Sequence, residues 1–104
     1  PPSYAAMKAA MISHSKTLAN ELAPKGIRVN CVAPGSIEFP GGMWEQIKTH
    51  SPDHYESIRN SIPFGRLGTD TEVAAAVVFI ASPRASWIAG VTLPVDGVQH
   101  KGNL

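Results

Sequence analysis

Cysteine is almost missing from this sequence of 104 residues: Cys31 stands alone. A single thiol excludes an internal disulfide framework and suits a reducing compartment. Charge is sparse too, at 16% of residues, and nine Lys+Arg against eight Asp+Glu leave a net charge of +1. Without a basic run to neutralise phosphates, the electrostatic footprint of a nucleic-acid binder is missing. No apolar stretch nears the roughly 20 residues of a membrane span, and no charged-then-apolar leader opens the chain. The expectation is a cytoplasmic protein with no nucleic-acid and no membrane partner. Against these gaps stands a globular composition, 43% apolar, in a length that suits one domain.

Tyr4 to Leu22 runs without an internal Gly or Pro and is rich in Ala, Met, Leu and Lys, all good helix formers. Met7, Met11, Leu18 and Leu22 recur at helical spacing and predict one apolar stripe. The alanines around them predict a helix packed on more than one side. Pro24-Lys25-Gly26 stops it. Ile27 to Val32 then alternates in the manner of a strand, which Pro34-Gly35 ends. Gly35 would admit close approach of another group to the backbone.

Past the Pro40-Gly41-Gly42 loop, a short helix is predicted over Met43 to His50. Ser51-Pro52 supplies an N-cap and a first-turn proline for a second helix, carrying Tyr55, Ile58 and Ile62 up to Pro63. Thr69-Asp70-Thr71-Glu72 reads as a capping box for a third helix, ending near Ala81. Val91 to Val95 predicts the last strand, closed by Asp96-Gly97. The order is helix, strand, three helices, strand: an α/β pattern with a parallel pair. Two parallel strands alone would leave long bare edges, so the pattern predicts part of a larger sheet.

Tyr4 and Lys8 are four residues apart and share a helix face. A free phenol, with a pKa of about 10, is a poor base at neutral pH, and an ammonium nearby favours its phenolate. Such a pair can pass a proton to or from a substrate oxygen. Taken alone, the spacing fits an ordinary tyrosine beside a solvated lysine better, since two residues at that spacing recur easily by chance. Pro34-Gly35 lies at the carboxyl end of a strand, where open α/β sheets bind ligands, although a plain turn has the same residues. His14, His50, His54 and Cys31 show no ligand spacing, since Ser51-Pro52 starts a helix between two of them, and no metal site is expected. Phe39, Met43 and Trp44 suit either a cover over an apolar substrate or a loop with a small core of its own.

Order and spacing carry a resemblance. Tyr4-Ala5-Ala6-Met7-Lys8, then Leu22-Ala23-Pro24-Lys25-Gly26-Ile27-Arg28-Val29-Asn30, then Pro34-Gly35, resemble the short-chain dehydrogenase/reductase family. Pro63-Phe64-Gly65-Arg66-Leu67-Gly68, Glu72-Val73-Ala74, Ala81-Ser82-Pro83-Arg84-Ala85-Ser86 and Val95-Asp96-Gly97 continue it across the whole chain. The pattern is most similar to 3-oxoacyl-[acyl-carrier-protein] reductases and sugar or polyol dehydrogenases. The resemblance implies the C-terminal portion of one Rossmann-like, doubly wound domain, residues 1–104, without its N-terminal dinucleotide-binding part. It implies hydride transfer between NAD or NADP and a small alcohol or carbonyl substrate. Tyr4 would be the acid/base; Lys8 would activate it and bond the nicotinamide ribose, so that both touch the cofactor. Pro34, Gly35 and Ile37 would line the nicotinamide, with Ile37 backbone groups on its carboxamide. The helix from Tyr4 and the final strand would build a homodimer or homotetramer.

Some positions depart from the family pattern. Met7 replaces a common serine, Phe39 a common threonine, and Ala89 and Val98 replace residues at either end of the last strand segment. Asn30 is a strand residue of its motif, not the family's catalytic asparagine. The glycine-rich phosphate loop has no counterpart here, and the catalytic serine would fall before Pro1. Pro1-Pro2 is therefore expected to be a cut edge, and the isolated chain to be inactive. The competing expectation is a non-catalytic fragment or degenerate homologue serving as an oligomerisation module.

Overall fold

The computed structural model describes residues 1–102. Helix α1 spans Pro2–Leu22, strand β1 Cys31–Pro34, β2 Ile37–Glu38, α2 Met43–His50, α3 Pro52–Ser61, β3 Gly68–Thr69, α4 Asp70–Ala81 and β4 Thr92–Val95. Single 3-10 turns, Ala23–Lys25 and Pro83–Ala85, follow α1 and α4. The chain divides into two compact units. The first comprises Pro1–Val32 and Val78–Leu93; the second holds Ala33–Val77 and the chain from Pro94 onward.

β1 pairs with β4, and β2 with β3. Cys31 N–H donates to Val91 at 2.8 Å and Gly35 N–H to Val95 at 3.0 Å, so the bonds advance together along both strands, as a parallel pair requires. β2 and β3 are likewise parallel, Ile37 opposite Gly68 and Glu38 opposite Thr69. The α/β class expected from the sequence is the one observed.

In the first unit the long Gly- and Pro-free run does form α1, with Pro2 in its first turn. Its N-terminal half is open: Met7 is 72% exposed and Met11 60%, while Ala19 is the one buried residue of the helix. Among the described residues the packing expected on several sides is therefore not formed along that half of the helix. The first strand also starts later than Ile27. Arg28 and Asn30 donate to the carbonyl groups of residues 80–88, Asn30 Oδ1 accepts from Val91 N–H, and the Val29 carbonyl accepts from Gly90 N–H at 2.8 Å, so Ile27–Asn30 is tied down mainly by side chains rather than by a regular ladder.

The second unit is organised by Tyr55, Ile62 and Leu67, with Trp44, Ile47 and Ile58 against them. Leu67 is 1% exposed, and full burial of a leucine stabilises by about 1.5–3 kcal/mol. α2 has the bounds its periodicity predicts. α3 begins at Pro52, but Ser51 makes no side-chain capping bond, so its expected cap is corrected: its backbone carbonyl instead accepts from Tyr55 at 3.1 Å. α4 has its capping box: Thr69 N–H donates to Glu72 Oε1 at 3.0 Å, and Glu72 N–H to Thr69 Oγ1 at 3.3 Å.

Candidate active site

α1 carries Tyr4 and Lys8 one turn apart, which brings Lys8 Nζ to 5.5 Å from the centre of the Tyr4 ring. That is within the range of cation–π attraction. Tyr4 is 62% exposed within this chain. A hydroxyl that can donate or accept and a fixed-sign donor beside it are the two groups proton transfer to an oxygen calls for.

Pro34, Gly35 and Ile37 form one run at the end of β1 and into β2, in the second unit; Tyr4 and Lys8 belong to the first. Gly35 does permit close approach, but the visitor is the chain itself. A Cβ on Gly35 would stand 2.6 Å from Asp96 Cβ and 2.7 Å from Gln99 Oε1. Ser36 is held on every polar group. Its N–H donates to Gln99 Oε1 at 2.9 Å, its Oγ accepts from Gln99 Nε2 at 3.0 Å, and its carbonyl accepts from Gly68 N–H at 3.0 Å.

This arrangement aims Ile37. The Ser36 carbonyl and the Ile37 N–H share one planar trans peptide, so a carbonyl turned to Gly68 sends the N–H the other way. The parallel ladder turns the Ile37 carbonyl to the same outer side. One donor and one acceptor on a backbone edge fit a planar carboxamide, which offers the complementary pair. The residues present therefore fit the nicotinamide end of a dinucleotide.

A cavity of about 280 Å³ lies beside β2, lined by Glu38, Phe39, Pro40, Glu45 and Lys48. Tyr55 Oη donates to Glu38 Oε2 at 2.8 Å; burial pushes the Tyr55 phenol up, and the Glu38 carboxylate adds to it. Phe39 turns its ring onto Gly42, where a Cβ would come within 2.9 Å of it. Trp44 stacks on His54 at 5.8 Å, and Met43 is exposed, so the three apolar residues of this region do not form one cluster. Gln99, Ser36 and Glu38 escaped the sequence reading. Their partners are 17 to 63 residues away, and no local spacing marks them. Among the described residues no three of His, Cys, Asp and Glu are grouped to hold a metal ion, and no helix is long and apolar enough to cross a membrane.

A family model described as enoyl-(acyl carrier protein) reductase matches residues 1–98. Isoepoxydon dehydrogenase patN of Aspergillus clavatus is 47% identical over 102 residues, covering 98% of this chain and 39% of that protein. The 3-oxoacyl-[acyl-carrier-protein] reductase FabG of Vibrio harveyi is 45% identical over 94 residues, 90% of this chain and 36% of that protein. Among solved structures, YwfH, described as an NADPH dependent reductase of bacilysin biosynthesis, superimposes with a TM-score of 0.81 at 37% identity, over 92% of this chain and 39% of that one. A short chain dehydrogenase from Bacillus anthracis gives 0.76 at 37% identity, over 96% of this chain and 36% of that one. The chain thus spans less than two-fifths of the length of these relatives.

Proposed function

The chain belongs to the short-chain dehydrogenase/reductase family, and from that premise we propose that it is the C-terminal portion of an NAD(P)-dependent oxidoreductase acting on a small alcohol or carbonyl substrate. The observation that carries the reading is the Tyr4–Lys8 pair, one turn apart on an open helix face within the matched residues. The nicotinamide supplies or accepts the hydride when bound. Tyr4 Oη gives its proton to the substrate oxygen in carbonyl reduction and takes one in alcohol oxidation. Lys8 keeps positive charge beside that phenol and offers its remaining N–H groups to the ribose hydroxyls. Ile37 presents its N–H and C=O to the carboxamide, with Pro34 and Gly35 shaping the wall beside it.

The 104 residues contain no glycine-rich phosphate loop, so the isolated chain is proposed to be inactive and the full-length protein active. A homodimer or homotetramer is proposed on the likeness of α1 and the final strand to the family's interface elements. The missing phosphate loop and Phe39, where the family pattern has a threonine, motivate the second reading, a non-catalytic oligomerisation module. Titration separates the two: full-length protein binds NADH or NADPH saturably if it is the enzyme, and binds neither if it is only a module.

A further inference from the structure

We propose that Gln99 is a positioning residue for the nicotinamide site, fixing the backbone edge of Ile37 through Ser36; this rests on the oxidoreductase reading above. Two consecutive peptide planes meet at Ser36. Gly68 fixes the second by binding the Ser36 carbonyl, and Gln99 fixes the first by taking the Ser36 N–H at 2.9 Å. The other end of the same amide donates to Ser36 Oγ at 3.0 Å, so the side chain cannot rotate without losing both bonds. Each group contributes modestly to stability, but together they settle where the Ile37 N–H points before any ligand arrives. Preorganisation of this kind lowers the ordering cost of binding.

Gln99 is itself aimed by a turn built for the purpose. Asp96 Oδ1 accepts from Val98 N–H, Asp96 Oδ2 from His100 N–H and the Asp96 carbonyl from Gln99 N–H, each at 3.0 Å. The turn holds Val98 at φ 70°, a backbone region that a β-branched residue adopts only under constraint. Gly35 completes the lock, since only a residue without Cβ leaves room for Asp96 and the Gln99 amide. Strain and close approach converge on the placement of one side chain.

The test uses the full-length protein, with NADH and NADPH as probes. Gln99→Leu keeps the volume and removes both bonds; Ser36→Ala removes one hydroxyl and leaves the N–H contact. The expected result for Gln99→Leu is a rise of about three- to tenfold in cofactor Kd by fluorescence titration, and the same rise in cofactor KM. Its kcat at saturating cofactor stays within about twofold, the pattern of lost binding rather than lost chemistry. Ser36→Ala raises Kd by about twofold. A lowered Tm with wild-type Kd in both variants would assign Gln99 to stability alone and overturn the proposal. So would a fall in kcat at unchanged cofactor KM. Should Gln99→Leu fail to melt cooperatively, an unchanged Kd in Ser36→Ala overturns it. A wild-type protein that binds neither NADH nor NADPH sinks the underlying reading, and this proposal with it.

Discussion

Arg66 meets Glu72 as a fork, Nη1 on Oε1 at 2.8 Å and Nη2 on Oε2 at 2.9 Å, while the same carboxylate closes the capping box of α4. One acidic side chain therefore serves two structures, the start of the helix and the Phe64–Gly68 approach to β3. The Arg66 bonds, and then those from Thr69, hold the Glu72 carboxyl down from its ordinary 4.5 to about 2.

A depressed carboxyl pKa stabilises the fold above the unfolded value and stops doing so as pH falls through the folded one. Stability is thus expected to decline between about pH 5 and pH 2 in wild type. Glu72→Gln removes that part of the decline. Thermal unfolding of both proteins across this range checks it; parallel curves would contradict the assignment.

Arg28 offers a second test, in the other unit. Its guanidinium reaches the carbonyls of Ile80 at 2.7 Å, Ile88 at 3.0 Å and Ser82 at 3.0 Å, two of them at the C-terminal end of α4, where helix carbonyls lack partners. Arg28→Met is expected to lower unfolding free energy by about 2–4 kcal/mol. Arg28→Lys recovers only part of it, since an ammonium cannot reproduce the planar fork. Urea unfolding midpoints supply the comparison.

Gly35→Ala places a methyl 2.6 Å from Asp96 Cβ. Overpacking of this kind costs about 1–3 kcal/mol. The turn from Asp96 to Gln99 has to shift, so the expected outcome is a lower Tm together with a weaker cofactor Kd. A variant with wild-type values of both would show that the contact yields freely.

Val98→Gly works in the opposite direction. The left-handed conformation costs a non-glycine residue about 1–2 kcal/mol, offset by the greater freedom glycine has when unfolded. The expected Tm is equal to or above wild type, unlike the loss that a valine-to-glycine change normally brings. Differential scanning calorimetry measures it.

The features legible in the sequence were those written locally. The Thr69–Glu72 box and the bounds of α2 need only neighbours three or four residues away. β2 and β3 were not foreseen, because two-residue strands carry no periodicity; what marks them is Gly68, whose Cβ would strike Ile37 Cδ1 at 2.7 Å. The alternation of Ile27–Asn30 misled because Arg28 and Asn30 bind carbonyls with side chains, a choice that depends on residues 50 to 60 positions away. The α1 stripe was legible as a pattern but not as burial, since burial needs a partner face. The approach of Lys8 to Tyr4 was legible as geometry, for a helix fixes that spacing by itself. Gln99 was not, for its grip on Ser36 closes a span of 63 residues.

The proposed proton transfer by Tyr4 can be tested on its own. The most direct measurement is kcat for Tyr4→Phe in the full-length protein, with NADH or NADPH oxidation followed against a carbonyl substrate and the fold checked by circular dichroism. The expected result is a loss of at least about 100-fold, the scale of general acid–base catalysis. A folded Tyr4→Phe enzyme turning over within about twofold of wild type would contradict it.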